Sequence, residues 1–328
     1  MSVNSFDDRK LRLFMPILRY TTSMKESDFV TESIGPIRTR SKRNDVLKFI
    51  AIITMIIDHV GAAFFPGIGI FRTIGRIAFP IFAYQLAIGY KHTSNLPAYG
   101  RRLFIFACIS YVPYIYFLGD GLTPNPLALN VMFLLLAGVG ALMLYDQARS
   151  NFNRYKMNGY SRYLVQGLLV SLLLLVYVLL PEFLVITIPH FMFSYGTYGL
   201  LLILSFHIWE DKPLPLLISF ICITFGTTYL KAIRYLIRGV PTSMLTDVYI
   251  SILFNRSGEL IDNMVHYKDG LMTLEGYFFQ ARSIMAYPLI ILMGKKNYSF
   301  TLNKYIAYWF YPVHISIILI ISYFLYYA

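Results

Sequence analysis

Residues 46–65 read VLKFIAIITMIIDHVGAAFF. A helix needs roughly 20 consecutive apolar residues to cross the hydrocarbon of a bilayer, and this run has that length. It also carries Lys48 near its start and Asp58-His59 past its middle. An ionisable side chain at membrane depth is costly unless it is paired or hydrated. The stretch therefore reads as a membrane helix with side chains that need partners.

Eight further runs of the same kind follow, at about 71–90, 102–118, 127–145, 163–180, 193–209, 214–236, 277–293 and 304–327. In the series of nine, the sixth is interrupted by Ser194, Tyr195, Gly196 and Thr197, and the eighth begins in the less apolar Tyr277–Arg282. The composition agrees: of 328 residues, 57% are hydrophobic and 14% charged, where a soluble domain carries about 25% charged residues. Disorder, a disulfide-rich secreted scaffold and a nucleic-acid module are excluded, the last despite a net charge of +12, because surplus cations on an apolar chain mark cytoplasmic loops. The expected fold is an all-α integral membrane protein, a polytopic bundle of about nine transmembrane helices in a cell membrane.

Lys and Arg set the orientation. With the N-terminus placed in the cytoplasm, 21 of the 29 Lys and Arg fall on the cytoplasmic side, and the short outer loops near 66–70, 119–126 and 181–190 carry none. Residues 1–45 are basic and polar without apolar periodicity, which predicts a disordered tail or one lying along the anionic leaflet. That leader lacks a short apolar core and small-residue cleavage site, so it does not read as a cleavable signal peptide. Residues 237–276 form a long outer loop of mixed charge, a length often associated with function although a solvated connector explains it equally well. Cys108 and Cys222 lie in separate apolar runs and are expected to be small buried hydrophobes. No Cys/His spacing suggests a metal. Phe79-Pro80-Ile81, Tyr287-Pro288-Leu289 and Tyr311-Pro312-Val313 are expected to be helix kinks.

Few ionisable residues sit within the spans: Asp58 and His59 in the first, Arg72 and Arg76 entering with the second, Arg282 near the outer end of the eighth, and His314 midway along the ninth. His59 lies 11 residues past Lys48, about 16 Å along a helix, which puts it beyond the midplane. Arg72 and Arg76 are four apart on a helix descending from the outside and should share a face. The first two spans are joined by a short loop and should be antiparallel neighbours, so these groups are expected to meet in one outer-half pocket. Asp58 and His59 are consecutive, about 100° apart around the axis, and are not expected to form a dyad. The pattern predicts that Asp58 neutralises Arg76 while His59 points into a cavity. A buried Asp–Arg pair can also be purely structural, and a lone His in a bundle is often simply satisfied. His92, His190, His207 and His266 are expected to be interfacial or solvated.

Three segments, Leu47–Ala51, Met55–His59 and Gly75–Ala83, together resemble the TraX family of membrane proteins, named for a conjugative pilin N-acetyltransferase. Tyr99 with Arg101-Arg102-Leu103, Asn130 with Phe133, Tyr198-Gly199 and Phe310–His314 continue the likeness in order. TraX proteins are in turn distantly similar to membrane-bound acyl-CoA acyltransferases, which place a basic residue, ten intervening residues and a His in the first helix, as Lys48 and His59 are spaced here. The resemblance implies transfer of an acetyl group from cytoplasmic acetyl-CoA, without a metal, to an amine or, less favoured, a hydroxyl. The acceptor is undefined: a peptide, amino sugar, metabolite or surface polysaccharide. It implies His59 as general base, Arg76 as oxyanion donor where Asp58 leaves it free, and Lys48, Arg101 and Arg102 as CoA-phosphate contacts. His314 and Arg72 are further polar groups for the same pocket. The competing readings are a small-molecule transporter or channel, and a scaffold whose polar pair is structural.

Overall fold

The protein was analysed as a computed structural model, which describes residues 44–119, 123–236, 250–251, 266–268, 271–273, 276–296 and 298–326. The helices are α1 (Asp45–Phe64), α2 (Gly69–Gly75), α3 (Ala78–His92), α4 (Leu96–Phe117), α5 (Val131–Asn158), α6 (Ser161–Thr187), α7 (Gly196–Trp209) and α8 (Pro213–Leu236). A 3-10 segment, Gly276–Met285, leads into α9 (Ala286–Met293), and α10 spans Lys304–Tyr326. Each apolar run read from the sequence is thus largely helical, but the run at 71–90 is divided between α2 and α3, and those at 127–145 and 193–209 open on short extended segments. Among the described residues, five helices are long and apolar enough to cross a membrane, and two shorter apolar helices accompany them.

Among the described residues, four short strands depart from a purely helical fold. β1 (Ala128–Leu129) and β2 (Met192–Phe193) pair in parallel, Ala128 opposite Met192, and β3 (His266–Lys268) pairs antiparallel with β4 (Leu271–Thr273).

Asparagines set the helix starts. The side chains of Asn44, Asn95 and Asn130 accept hydrogen bonds from Leu47, Ala98 and Met132 backbone N–H groups, closing the first turns of α1, α4 and α5. Asn130 also donates to the Ala107 carbonyl at 2.9 Å, tying α5 to α4. α5 continues to Asn158, well past the apolar run that stops at 145. Arg149, Arg154 and Lys156 therefore sit on a helix, not in a loop. The helix ends at Gly159, whose φ of 69° is the left-handed stop that glycine adopts freely.

The packing is inverted relative to a soluble bundle. On α6, Leu168, Leu169, Leu172, Leu173, Leu175 and Val176 are each 53–60% exposed. Such a stripe is unfavourable against water and comfortable against lipid. Inside, α1 packs on α2, α3 and α10, and α7 packs on α3, α5 and α8, around Leu47, Phe79, Ile81, Leu134, Tyr198 and Phe206.

Several expectations need correction. Cys108 and Cys222 are exposed on outer helix faces, because in such a bundle the apolar environment lies outside as well as within. Pro80 and Pro288 stand in the first turns of α3 and α9, where a missing N–H breaks no intrahelical bond. Only Pro312 of the three lies within a helix. Asn44 and Asp45 belong to the folded body: the Asn44 side chain donates to the Met293 carbonyl, and Asp45 accepts the Leu302 N–H at 2.9 Å. The rest of the expected 1–45 tail and most of the 237–276 loop lie outside the described residues.

Candidate functional site

The site begins with the step from Asp58 to His59 on α1, which aims one side chain at α2 and the other at α10. α2 approaches α1 closely because Gly75 has no side chain. A Cβ there would lie 2.1 Å from the Asp58 Cβ. Arg72 Nη1 then reaches Asp58 Oδ2 at 3.1 Å, and Arg76 Nη2 lies 3.2 Å from both carboxylate oxygens. α2 has ended by Arg76, but its φ of −62° and ψ of −17° keep the helical sense, so the i, i+4 pair still converges on one acid. Asp58 contacts both arginines, not Arg76 alone.

Arg76 is the more enclosed of the two. Its side chain is 12% exposed against 34% for Arg72. Nη1 donates to Gln280 Oε1 at 3.4 Å, and the guanidinium lies 5.1 Å from the Phe279 ring centroid. Arg76 Nε and Gln280 Nε2 are buried without hydrogen-bond partners among the described residues. Arg282, on the other side of this cluster, stacks on Phe279 at 4.7 Å and donates to Thr73 Oγ1.

His59 turns the other way. Its Nδ1 lies 2.7 Å from His314 Nε2, with the rings parallel and 4.9 Å apart. His314 Nδ1 lies 2.8 Å from the Phe310 carbonyl. A carbonyl only accepts, so His314 Nδ1 carries a hydrogen and, in the neutral pair, its Nε2 is the acceptor. His59 Nδ1 must then be the donor, which leaves His59 Nε2 with an unprotonated lone pair. Phe310 and Phe117 pack against the two rings.

Asp58, His59, Arg72 and Arg76 line a cavity of about 150 Å³, walled by Phe79, Tyr114, Phe117, Ser194, Tyr195 and Tyr311 among others. A second cavity of about 220 Å³ contains Glu182 and Lys231 and shares Tyr114, Ser194 and Tyr195 with the first. The shared wall is held by the β1–β2 pair, since Ser194 N–H donates to the Leu129 carbonyl at 3.1 Å. The Tyr114 hydroxyl hydrogen-bonds Ser194 Oγ, and Tyr195 stacks on Phe79 with centroids 3.8 Å apart. Tyr195 has a φ of 60°, a left-handed conformation that is uncommon outside glycine and costs about 1–3 kcal/mol. The polar interruption of the sixth span is thus a wall of the site. Its sequence signal was the run Ser194–Thr197. Gln280 was missed, having no such signal.

The residues expected to contact CoA are elsewhere. Lys48, Arg101 and Arg102 line neither cavity. Lys48 Nζ lies 3.2 Å from Asp45, Arg101 is exposed, and Arg102 lies 5.9 Å from the Tyr99 ring centroid. His207 departs from expectation. It is buried, and its Nε2 contacts Asp146 Oδ1 at 2.8 Å with Tyr90 and Tyr145 packed edge-on. An aromatic cage on α3, α5 and α7 removes it from the interface. Among the described residues, no group of three or more His, Cys, Asp or Glu side chains is placed to hold a metal.

No solved structure matches the chain. A relative from Rickettsia prowazekii (strain Madrid E), "Uncharacterized protein RP591", is 32% identical over 80 residues, covering 24% of this chain and 32% of that protein. The chain thus spans about a third of that relative's length. The family described as "TraX protein" matches residues 43–253, well over half of the chain. The matched segment holds Asp58-His59, Gly75-Arg76, Arg101-Arg102 and Tyr198-Gly199, and ends before Phe310–His314, where the likeness rests on those residues alone. The chain belongs to the TraX family.

Proposed function

We propose that this protein is a membrane-embedded acyltransferase that moves an acetyl group from cytoplasmic acetyl-CoA to an amine, or less favourably a hydroxyl, at or near the outer face. In this reading the chain crosses the cell membrane nine times with its N-terminus in the cytoplasm. The observation that carries the chemistry is the His59–His314 hydrogen bond beside a polar cavity, with His314 Nδ1–H donated to the Phe310 carbonyl. That chain of bonds leaves His59 Nε2 able to take a proton, and imidazole suits such a task near neutral pH.

As the acceptor nitrogen attacks the thioester carbonyl, its proton passes to His59 Nε2. The tetrahedral oxyanion is stabilised by guanidinium N–H groups of Arg76, held in place by Asp58. Collapse breaks the C–S bond, and the imidazolium returns the proton to the departing thiolate, giving the acetylated acceptor and CoA thiol. Lys48, Arg101 and Arg102 meet the CoA phosphates at the inner surface as charge-assisted donors. His59 is about 16 Å away along α1 from Lys48, a span that the extended arm of CoA can bridge.

Membranes containing the protein should transfer labelled acetyl from acetyl-CoA to an endogenous acceptor. His59→Ala should lower transfer about 10²–10⁴-fold while the folded protein persists in mild detergent. Full activity in that variant sinks the assignment. Replacing Arg101 and Arg102 together by Ala should raise the acetyl-CoA KM with kcat little changed. Solute flux into liposomes without CoA would instead favour a transporter.

A further inference from the structure

The polar cavity holds more positive charge and more hydrogen-bond donors than its own acceptor can satisfy. Among the described residues Asp58 is the single carboxylate lining it, and Arg72 and Arg76 both contact that carboxylate. The neighbouring cavity does not redress the balance, because its Glu182 and Lys231 are of opposite sign. One buried N–H group of the cavity, that of Arg76 Nε, lacks an acceptor among the described residues. Buried cations and donors are normally matched by acceptors, and the cost of leaving them unmatched rises in a low-dielectric interior.

The two cavity arginines differ in what they have left to offer. Arg76 is enclosed by Asp58, Gln280 and Phe279. Arg72 makes one contact to Asp58, and its side chain is 34% exposed. It also stands earlier on the helix that, in the proposed topology, descends from the outer face, so an acceptor entering from outside meets it first.

We infer that the acceptor carries an oxyanion, a carboxylate or a phosphate, close to its nucleophile, and that Arg72 is the residue that anchors it. This rests on the acyl-transfer reading for the word acceptor, whereas the anion site itself does not. A planar guanidinium recognises either oxyanion through paired N–H donors. An acceptor bound there presents its neighbouring amine or hydroxyl within the cavity that His59 lines. An anion at Arg72 also supplies the charge that Asp58 alone does not.

The test needs no acetyl-CoA. The full-length protein in mild detergent is unfolded thermally while sodium phosphate, or separately sodium acetate, replaces sodium chloride at constant ionic strength. A ligand that binds only the folded state raises the midpoint saturably. The wild type should show such a rise with at least one of the two anions. Phosphate alone points to a phosphorylated acceptor such as a lipid or sugar phosphate, and acetate alone to a carboxylate-bearing one. Arg72→Gln should lose the rise and Arg72→Lys should retain part of it. No saturable rise in the wild type overturns the inference, as does an undiminished rise in Arg72→Gln. If Arg72→Gln does not fold, the wild-type titration and the Arg72→Lys comparison still decide. A wild-type protein that binds the anion yet transfers no acetyl group retains the site and loses only the acyl-transfer reading.

Discussion

Two regions of the bundle each hold a histidine and an acid, and they differ in what surrounds them. Asp58, the two arginines and His59 border a cavity, and His314 is hydrogen-bonded to His59. Asp146 and His207 form a tight pair in an aromatic cage of Tyr90 and Tyr145 and line neither described cavity. His207 directs its Nε2 at a carboxylate, as a histidine holding two helices together would. His207 Nδ1 is buried without a hydrogen-bond partner among the described residues, whereas His59, whose Nδ1 meets another imidazole, borders a cavity with its second nitrogen left over. A charged pair inside a membrane bundle is therefore a poor indicator of chemistry. A proton-accepting atom beside a space is a better one.

The comparison breaks most readily at the acids. Asp58→Asn leaves two guanidiniums facing each other in a buried setting and should destabilise the protein by about 3–5 kcal/mol. Asp146 is 42% exposed, and Asp146→Asn should cost about 1 kcal/mol, the size of one hydrogen bond. Denaturation of both variants in the same detergent checks the contrast, and equal losses would refute it.

The histidines give the next largest difference. His314→Phe keeps the packing against Phe310 but removes the acceptor for His59 Nδ1. Acetyl transfer should fall roughly 10- to 100-fold, about 1.4–2.7 kcal/mol in barrier, with an altered pH profile, since the proton distribution on His59 is no longer fixed. An unaltered pH profile would leave His314 with a packing role only. The smallest effect is expected from His207→Phe, which keeps the aromatic cage and should leave transfer within about twofold. A loss comparable to that of His314→Phe would erase the distinction between the regions.

Much of this was legible along the chain. Asp58, His59, Arg72 and Arg76 stood out because ionisable groups are rare in apolar runs, and the short connection between the first two spans placed them together. The role of Gly75 in that meeting needed the helix crossing, where its missing Cβ admits Asp58. His207 was misplaced because it lies near the end of an apolar run, and nothing local indicates that Tyr90 and Tyr145 close over it. Gln280 was passed over because it sits in a weakly apolar stretch whose 3-10 geometry turns it toward Arg76.

The sequence by itself determined the solvent for which this protein is built, the places where its helices run, and the few side chains that could not be left facing lipid. Those conclusions rest on transfer costs paid residue by residue, which are local. Which of those side chains are partners was decided by the tertiary structure. His59 and His314 are 255 positions apart, and a rotation of either helix by one residue, about 100°, would separate them. Burial cost says that a partner must exist, and only the packing of α1 against α2 and α10 says which one.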